Sequence, residues 1–348
     1  MSTIGLIVKA AVMRAVQAPL ILEDLPKPKI GPDEVLVETR TSGICGTDLH
    51  MLAGHGYVPD LPHVLGHEPA GVVAECGRNV TSVRPGDRVV PHLFVACEHC
   101  YYCRTGRQQQ CAELRGIIGV LAYQGAFAEY FKAPGKNLYR LPDCVPFDAG
   151  GLMADAVVTA VHATRRAGSA MGESALVVGA GGVGQILIQL LAASGVRVVA
   201  ADLSPAKLGI ALDFGAKLVV DASDPGAVVT IKDFSGTGGM TCVFNCVGTS
   251  QSMRFSADCV MRCGRIVAIG EEPQDPRLDT IEIAQKELEI VGSRNGTRQD
   301  MVDSIRLVEA GIVKPLVAAR FSIDNINQAF DCVRRGALGR VVVVVKEP

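Results

Sequence analysis

The chain of 348 residues lacks several features that would place it in a class directly. It has no tryptophan, its net charge is only −2, and no run of apolar residues is long enough to cross a membrane. It also contains no internal repeat, charge block or low-complexity segment. These absences predict that the protein has no membrane span, no repeat architecture and no nucleic-acid partner.

The N-terminal segment MSTIGLIVKAAVMRAVQ also lacks the marks of a secretion signal. No basic residue precedes its apolar stretch, which is short and interrupted by Lys9 and Arg14. We therefore expect a cytoplasmic protein whose 12 cysteines are reduced. A composition of 48% hydrophobic and 20% charged residues is ordinary for a globular protein, and the length allows two domains.

Four cysteines are present within the short segment CEHCYYCRTGRQQQC, namely Cys97, Cys100, Cys103 and Cys111. Reduced cysteines at this spacing predict a closed four-thiolate metal site, which has no open position for a substrate and is therefore structural. Zinc is favoured over an iron–sulfur cluster because nothing else in the chain suggests electron transfer. The alternative is a loop with four free thiols. His99 is interpreted as a surface residue of the same loop.

The sequence pattern changes near residue 150. Before it, short β-rich segments such as EVLVETRTSGIC and PAGVVAECG are separated by Gly and Pro turns, which predicts a mostly β domain of barrel type. After it, short apolar strands alternate with helical segments, which predicts a doubly wound parallel sheet. The C-terminal segment predicts a helix and a final strand that returns to the first domain.

A glycine-rich turn in the second half predicts a dinucleotide site. It follows the strand ALVVGA and precedes a helix, and its glycines are Gly179, Gly181, Gly182 and Gly184. Such glycines allow close approach to a pyrophosphate, and the helix N-terminus offers free N–H groups to it. Asp202 ends the next strand, where a carboxylate binds the ribose hydroxyls of NAD and repels the 2′-phosphate of NADP. Lys207 is either a further ribose contact or a solvated lysine on the helix surface. The alternative for the glycine-rich segment is a turn that binds no ligand.

Two further motifs complete a pattern that resembles a known family. SGICGTDLH and LGHEPAGVV, with the four-cysteine loop and the glycine turn, resemble the zinc-dependent medium-chain alcohol dehydrogenase family in order and spacing over nearly the whole chain. The resemblance implies an α/β protein with a GroES-like β-barrel catalytic domain and a doubly wound parallel Rossmann domain. We assign residues 1–155 and 299–348 to the first and 156–298 to the second, with the active-site cleft between them. The implied cofactors are two Zn²⁺ per chain and NAD.

The resemblance also implies the ligands of a catalytic zinc. Cys45 and His67 match zinc ligands of the family, and Glu68 matches a residue that binds the metal in some members or states. Asp155 stands where the best-known members have a second cysteine, as it does in some bacterial members. One thiolate and one carboxylate neutralise Zn²⁺ as two thiolates would. The alternative for Asp155 is an acidic residue that stabilises a helix N-terminus.

The remaining roles follow from the same resemblance. Thr47 matches the hydroxyl that contacts the substrate oxygen, and His50 matches the terminal base of the proton relay. Asp48 matches an acid that orients the zinc histidine. Thr159 matches the residue behind the nicotinamide ring. Arg340 matches an arginine that reaches the pyrophosphate, and its alternative is an exposed strand charge.

The implied activity is hydride transfer between NAD and a primary, secondary or cyclic alcohol, giving an aldehyde or ketone. In this mechanism zinc lowers the pKa of the alcohol hydroxyl. The alternatives are a polyol or amino-alcohol dehydrogenase, a reductase working in reverse, and a non-catalytic binding protein that keeps the fold. Zinc-free quinone reductases are excluded because both zinc motifs are present. We expect a small-molecule substrate and a homotetramer or homodimer.

Overall fold

The computed structural model describes residues 7–168 and 171–347, which form two compact units. The first unit contains the described residues of Met1–Ala156, Thr297–Glu309 and Pro315–Pro348. The second contains those of Val157–Gly296 and Ala310–Lys314. Residues 1–6 of the N-terminal segment MSTIGLIVKAAVMRAVQ lie outside the described part.

The first part of the first unit consists mainly of short strands. They are β1 (Ile7–Met13), β2 (Ile21–Pro26), β3 (Glu34–Ile44), β4 (His63–Val64), β5 (Glu68–Cys76), β6 (Arg88–Pro91), β7 (Phe94–Val95), β8 (Gly116–Ile118), β9 (Ala122–Tyr123), β10 (Tyr130–Pro134) and β11 (Leu138–Arg140). The helices between them are α1 (Gly46–Ala53), α2 (Tyr101–Arg104) and α3 (Phe147–Leu152). Short 3₁₀ turns cover Gln108–Gln110 and Gly135–Asn137, and one π-helical turn covers Met153–Val157.

The second unit alternates strands and helices, as its sequence pattern predicts. Its strands are β12 (Ser174–Val178), β13 (Arg197–Asp202), β14 (Leu218–Asp221), β15 (Met240–Asn245), β16 (Val260–Ala268) and β17 (Glu289–Gly292). Its helices are α4 (Val158–Ala167), α5 (Gly182–Ala193), α6 (Pro205–Asp213), α7 (Ala227–Ser235), α8 (Ser250–Cys259) and α9 (Thr280–Lys286).

The six strands of the second unit form one parallel sheet in the order β14-β13-β12-β15-β16-β17. All five residues of β12 are buried, as expected for a central parallel strand covered on both faces. α6 begins after Ser204, whose hydroxyl accepts from the N–H of Lys207, and has proline at its first position. Side chains of this sheet, including those of Leu176, Val199 and Val243, form part of an apolar core.

The chain returns to the first unit near its end. The elements there are α10 (Arg298–Glu309), β18 (Val317–Ser322), a 3₁₀ turn (Ile323–Asn325), α11 (Ile326–Arg334) and β19 (Arg340–Val344). β19 pairs antiparallel with β3, so the last strand lies in the first unit. The resulting sheet runs β11-β6-β5-β3-β19-β18, with β10 also paired to β3.

Two small three-stranded sheets complete the first unit, in the orders β2-β1-β4 and β7-β8-β9. Val35, Leu36, Val37 and Ile44 of β3 are all buried, so this strand is covered on both faces. Across residues 7–168 and 171–347, no helix combines the length and apolar character that a membrane crossing requires.

Candidate active site and metal centres

Three of the predicted catalytic-zinc ligands come from separate elements of the first unit. Cys45 lies in extended backbone between β3 and α1, with φ −103° and ψ 162°. His67 immediately precedes β5, and Asp155 lies in the π-helical turn Met153–Val157. The structure therefore brings together side chains that are far apart in the sequence.

The spacing of these three side chains suits one tetrahedral metal ion. Cys45 Sγ is 3.3 Å from Asp155 Oδ2, and His67 Nε2 is 3.8 Å from the same oxygen. All three ligand atoms lie within 4.8 Å of one another. Ligand atoms around tetrahedral zinc are about 3.3–3.8 Å apart, given its usual bond lengths to sulfur, nitrogen and oxygen. The donor set of thiolate, imidazole and carboxylate thus fits zinc, with a fourth position left over.

Asp48 holds two of these residues in place. One carboxylate oxygen lies 3.2 Å from His67 Nδ1, and the other accepts the N–H of Cys45 at 2.9 Å. A proton on Nδ1 leaves Nε2 with its lone pair for a metal. Burial lowers the pKa of the His67 imidazole, but the charge of Asp48 and the hydrogen bonds to Asp155 and Asp48 raise it well above its usual value.

Arg340 lies beside this cluster, a contact that the sequence reasoning did not foresee. Its Nη2 is 2.8 Å from Glu68 Oε1, 3.5 Å from Asp155 Oδ2 and 3.7 Å from Cys45 Sγ. Its side chain is only 12% exposed, so it is not an exposed strand charge. The one sequence feature that could have indicated this contact is the position of Arg340, a single charge at the start of the apolar run VVVVV. The predicted contact of Arg340 with the pyrophosphate stays a prediction.

Glu68 and Asp155 respond differently to burial beside this arginine. Burial raises the pKa of Glu68 to about 8, although Arg340 lowers it. Burial also raises the pKa of Asp155, but the hydrogen bond and charge of His67, with the charge of Arg340, hold it well below its usual value. Asp155 is therefore the carboxylate that is suited to act as an anionic ligand, and Glu68 is held by the guanidinium.

The two predicted relay residues lie on α1, next to the metal cluster. Thr47 Oγ1 is 3.8 Å from Cys45 Sγ. His50 follows three residues later on the same helix, a spacing that puts both side chains on one face. Both are half-buried, as a path between a site and solvent requires. Their relay roles stay predictions.

The four cysteines of the loop 97–111 also converge. Cys97 Sγ is 3.8 Å from Cys103 Sγ, and Cys100 Sγ is 3.5 Å from Cys103 Sγ and 3.9 Å from Cys111 Sγ. These distances are too long for disulfides and match sulfurs around a single zinc ion. The thiolates of an iron–sulfur cluster bind different irons and lie farther apart, so the spacing favours zinc. His99 is 57% exposed, in agreement with its interpretation as a surface residue.

The N–H groups of Cys97 and Cys100 point at sulfurs of the same loop. They lie 3.3 Å from Cys111 Sγ and 3.4 Å from Cys97 Sγ. Such N–H groups stabilise negative charge on sulfur, because hydrogen bonds to charged acceptors are stronger than those to neutral ones. These two N–H groups therefore favour the thiolate forms of Cys97 and Cys111.

The predicted dinucleotide residues lie in the second unit. The glycine turn joins β12 to α5, and a Cβ at Gly184 would meet the carbonyl oxygen of Gly179. Asp202 Oδ2 accepts the N–H of Ala180 at 2.8 Å, and Oδ1 accepts that of Ser204 at 2.9 Å. Each oxygen keeps a further lone pair for a ribose hydroxyl. The turn and the predicted ribose acceptor are thus held together before any ligand binds.

Two other predicted cofactor residues also belong to the second unit. Lys207 is half-buried at the start of α6, where its N–H is 3.5 Å from the hydroxyl of Ser204. Thr159 lies on α4 and is 7% exposed. Their contacts with the cofactor stay predictions.

Comparison with known proteins identifies the family of the chain. The model of the alcohol dehydrogenase GroES-like domain matches residues 31–143, and that of the zinc-binding dehydrogenase matches residues 182–310. The chain belongs to the zinc-dependent medium-chain alcohol dehydrogenase family. The predicted GroES-like and Rossmann folds are confirmed, as are zinc and NAD as the cofactors of an oxidoreductase.

Individual relatives cover almost the whole chain. An alcohol dehydrogenase of Geobacillus stearothermophilus is 34% identical over 97% of this chain and 99% of its own length. An L-threonine 3-dehydrogenase of Mesorhizobium japonicum is 32% identical over 96% of this chain and 98% of its own. The solved structure of a cobalt- and zinc-bound alcohol dehydrogenase of Pyrobaculum aerophilum has a TM-score of 0.89 at 30% identity, covering 97% of this chain and 100% of that one.

Proposed function

We propose that this alcohol dehydrogenase oxidises primary, secondary or cyclic alcohols with NAD at the cluster of Cys45, His67 and Asp155. The observation that carries the proposal is the convergence of these three ligand atoms within 4.8 Å, with the predicted relay helix beginning at the next residue after Cys45. Zinc bound there supplies Lewis acidity, which lowers the pKa of an alcohol hydroxyl.

The side chains around the cluster have distinct tasks in this proposal. Cys45 and Asp155 provide two negative charges that match Zn²⁺, and Arg340 holds the carboxyl group of Glu68 at 2.8 Å. Asp48 fixes the orientation of His67. Thr47 Oγ1 accepts the proton of the substrate hydroxyl and donates its own toward His50, which passes it to solvent.

In the second unit, the glycine turn binds the pyrophosphate of NAD. Asp202 accepts hydrogen bonds from the ribose hydroxyls, and Lys207 contacts the same ribose. Thr159 lies behind the nicotinamide, and Arg340 reaches the pyrophosphate. The support for Asp202 is its bond to the N–H of Ala180, which holds the carboxylate against the turn at 2.8 Å.

The deciding experiment is a substrate panel with NAD, followed by NADH absorbance. It contains primary, secondary and cyclic alcohols, polyols, and L-threonine as the amino alcohol. We expect turnover of the simple alcohols to exceed that of L-threonine. Faster turnover of L-threonine would favour the amino-alcohol alternative, which the similarity to an L-threonine 3-dehydrogenase supports. No turnover of any class would overturn the proposal.

We also propose a cytoplasmic homodimer or homotetramer. None of the 12 cysteines forms a disulfide, as expected in a reducing compartment. Edge strand β17 leaves Glu289 and Ile290 exposed, and an exposed edge favours pairing with another chain. Sedimentation at the mass of a single chain would exclude both assemblies.

A further inference from the structure

The order of strands in the second unit reverses between β12 and β15. The chain passes from β12 through β13 to β14 on one side, and from β15 through β16 to β17 on the other. A dinucleotide binds outside the carboxyl ends of the strands at such a reversal, with each half of the sheet receiving one half of the ligand. The glycine turn and Asp202 belong to the adenosine side. The loops after β15 and β16 therefore belong to the nicotinamide side.

Asn245 ends β15 and bonds to both of these loops. Its side-chain oxygen accepts the N–H of Val247 at 3.0 Å and that of Gly248 at 2.8 Å, which fixes the loop after β15. Its backbone carbonyl accepts the N–H of Ile269 at 2.9 Å and that of Gly270 at 3.0 Å, which fixes the loop after β16. The residue is 0% exposed, so water does not compete for these bonds.

The amide nitrogen of Asn245 is anchored on the opposite side, to α8. It lies 3.1 Å from the hydroxyl of Ser252 and 3.0 Å from that of Ser256. Each serine in turn donates its hydroxyl to a backbone carbonyl, Ser252 to Thr249 at 2.9 Å and Ser256 to Ser252 at 2.8 Å. This position therefore needs a side chain whose oxygen accepts hydrogen bonds from the loop after β15 and whose NH₂ group donates to both serines. Asparagine provides both groups. Aspartate has no donor and would add a buried charge.

The two loops and the glycine turn are packed closely together. A Cβ at Gly248 would meet the carbonyl oxygen of Gly270, so the two loops touch through their backbones. The side chain of Val247 lies against Gly179, where an added Cβ would be 2.7 Å from Val247 Cγ2. A displacement of the loop after β15 would therefore also displace the loop after β16, through the contact of Gly248 with Gly270.

We propose that Asn245 is a positioning residue for the nicotinamide half of NAD, because it fixes the loops 246–248 and 269–270 that receive it. It acts through these loops and does not itself touch the reacting atoms. The same bonds would also support the fold, so the test must separate a local effect on the nicotinamide side from a general loss of stability.

The test compares the binding of NADH and of ADP by titration calorimetry in the full-length zinc enzyme. NADH engages both sides of the reversal, whereas ADP engages only the adenosine side. Asn245→Ala removes the acceptor of two N–H groups and should weaken NADH binding about tenfold, while ADP binding stays within about twofold of wild type. Equal weakening for both ligands, or unchanged NADH binding in a folded variant, would overturn the proposal.

A matched control lies at the end of α7, in the turn that leads into the opposite end of β15. Ser235 is 4% exposed and its hydroxyl accepts the N–H groups of Thr237 at 3.2 Å and Gly239 at 3.0 Å, just before β15 begins. Ser235→Ala removes a similar pair of bonds away from the carboxyl edge. It should lower the melting temperature and leave the affinities for NADH and ADP in their wild-type ratio. A changed ratio in this control would count against the positioning role.

A milder variant keeps the test decisive if Asn245→Ala does not fold. Ser256→Ala removes one of the two anchors of the amide and leaves the loop contacts of Asn245 in place. We expect a two- to threefold weakening of NADH binding, by about half a kilocalorie per mole, with ADP unchanged. Wild-type affinity for NADH in this variant, or an equal loss for ADP, would contradict the proposal.

Discussion

The proposed ligands of the catalytic zinc differ from a set with two cysteines at one residue, Asp155. Its Oδ2 lies within 4 Å of Cys45 Sγ, His67 Nε2 and Arg340 Nη2. A residue that only stabilised a helix N-terminus would have no reason to approach all three groups. The charge balance of the cluster therefore depends on it.

We expect Asp155→Ala to lose the catalytic zinc and turnover, because it removes one of the three proposed protein ligands, while the four-cysteine loop should keep its ion. Asp155→Cys should retain part of the activity, because a thiolate restores the charge. Zinc content and turnover are measured together. Asp148→Ala is the control, since Asp148 is a half-buried acid of the preceding helix α3 that pairs with Arg320 at 3.1 Å. Two zinc ions and near-normal turnover in Asp155→Ala would show that it is not a ligand.

Arg340 and Glu68 form a second test at the level of residues. Their pair is buried, and a buried polar group that is left without its hydrogen-bonding partner costs about 1–3 kcal/mol. Arg340→Met should therefore destabilise the protein more than Arg340→Met combined with Glu68→Gln. Urea unfolding of the wild type, Arg340→Met, Glu68→Gln and the double variant gives the coupling energy between the two side chains. If the effects of the two single changes simply add, the two side chains do not depend on each other.

At the level of elements, the four-cysteine loop is fixed to the first unit by Glu98. This residue lies between two of the cysteines with φ +72°, and Arg298 of α10 holds it through two bonds of 2.7 and 3.0 Å. Lys136 adds a contact at 3.1 Å. Burial raises the pKa of Glu98, but Arg298 and Lys136 together bring it below its usual value. The ion pairs of Glu98 thus anchor the loop in addition to the metal ion that we propose for its four cysteines.

Cys97→Ser should lower both the zinc content, by about one ion per chain, and the melting temperature, because structural zinc contributes folding free energy. Turnover per folded molecule should persist, since the catalytic cluster is separate in sequence and geometry. Cys144→Ser is the control because Cys144 is exposed and outside the loop. Unchanged zinc content and melting temperature in Cys97→Ser would mean that the four thiols hold no metal.

At the level of elements, the structure also shows how much of the fold and of the site could be predicted from the sequence. Strands such as β3 and β12 and the glycine turn are encoded by neighbouring residues, so alternation, glycine spacing and β-branched side chains were enough to predict them. The π-helical turn around Asp155 has no local signature, and neither does the contact of Arg340 with Glu68. The latter depends on the pairing of β19 with β3, which joins the two ends of the chain. A register across distant strands can be anticipated only when the whole sheet is known.

At the scale of the whole molecule, each unit has its own source of stability. The second unit has an apolar core along its parallel sheet, including Ile231, Val243 and Ile266. The predicted metal ligands all belong to the first unit, because Cys45, His67, Asp155 and the loop 97–111 lie within it. Removing metal should therefore act on one part of the chain first.

Hydrogen exchange after treatment with a strong chelator tests this separation. We expect faster exchange in the loop 97–111 and in α1, since bound zinc orders the side chains on which these segments depend. Strands β12–β16 should keep their protection, because their backbone hydrogen bonds lie in a core that needs no metal. Adding NADH should instead slow exchange around the glycine turn, since a ligand that binds only the folded state stabilises it. Loss of protection throughout β12–β16 on chelation would show that the zinc ions stabilise both units as one, and that metal loss unfolds the molecule in a single step.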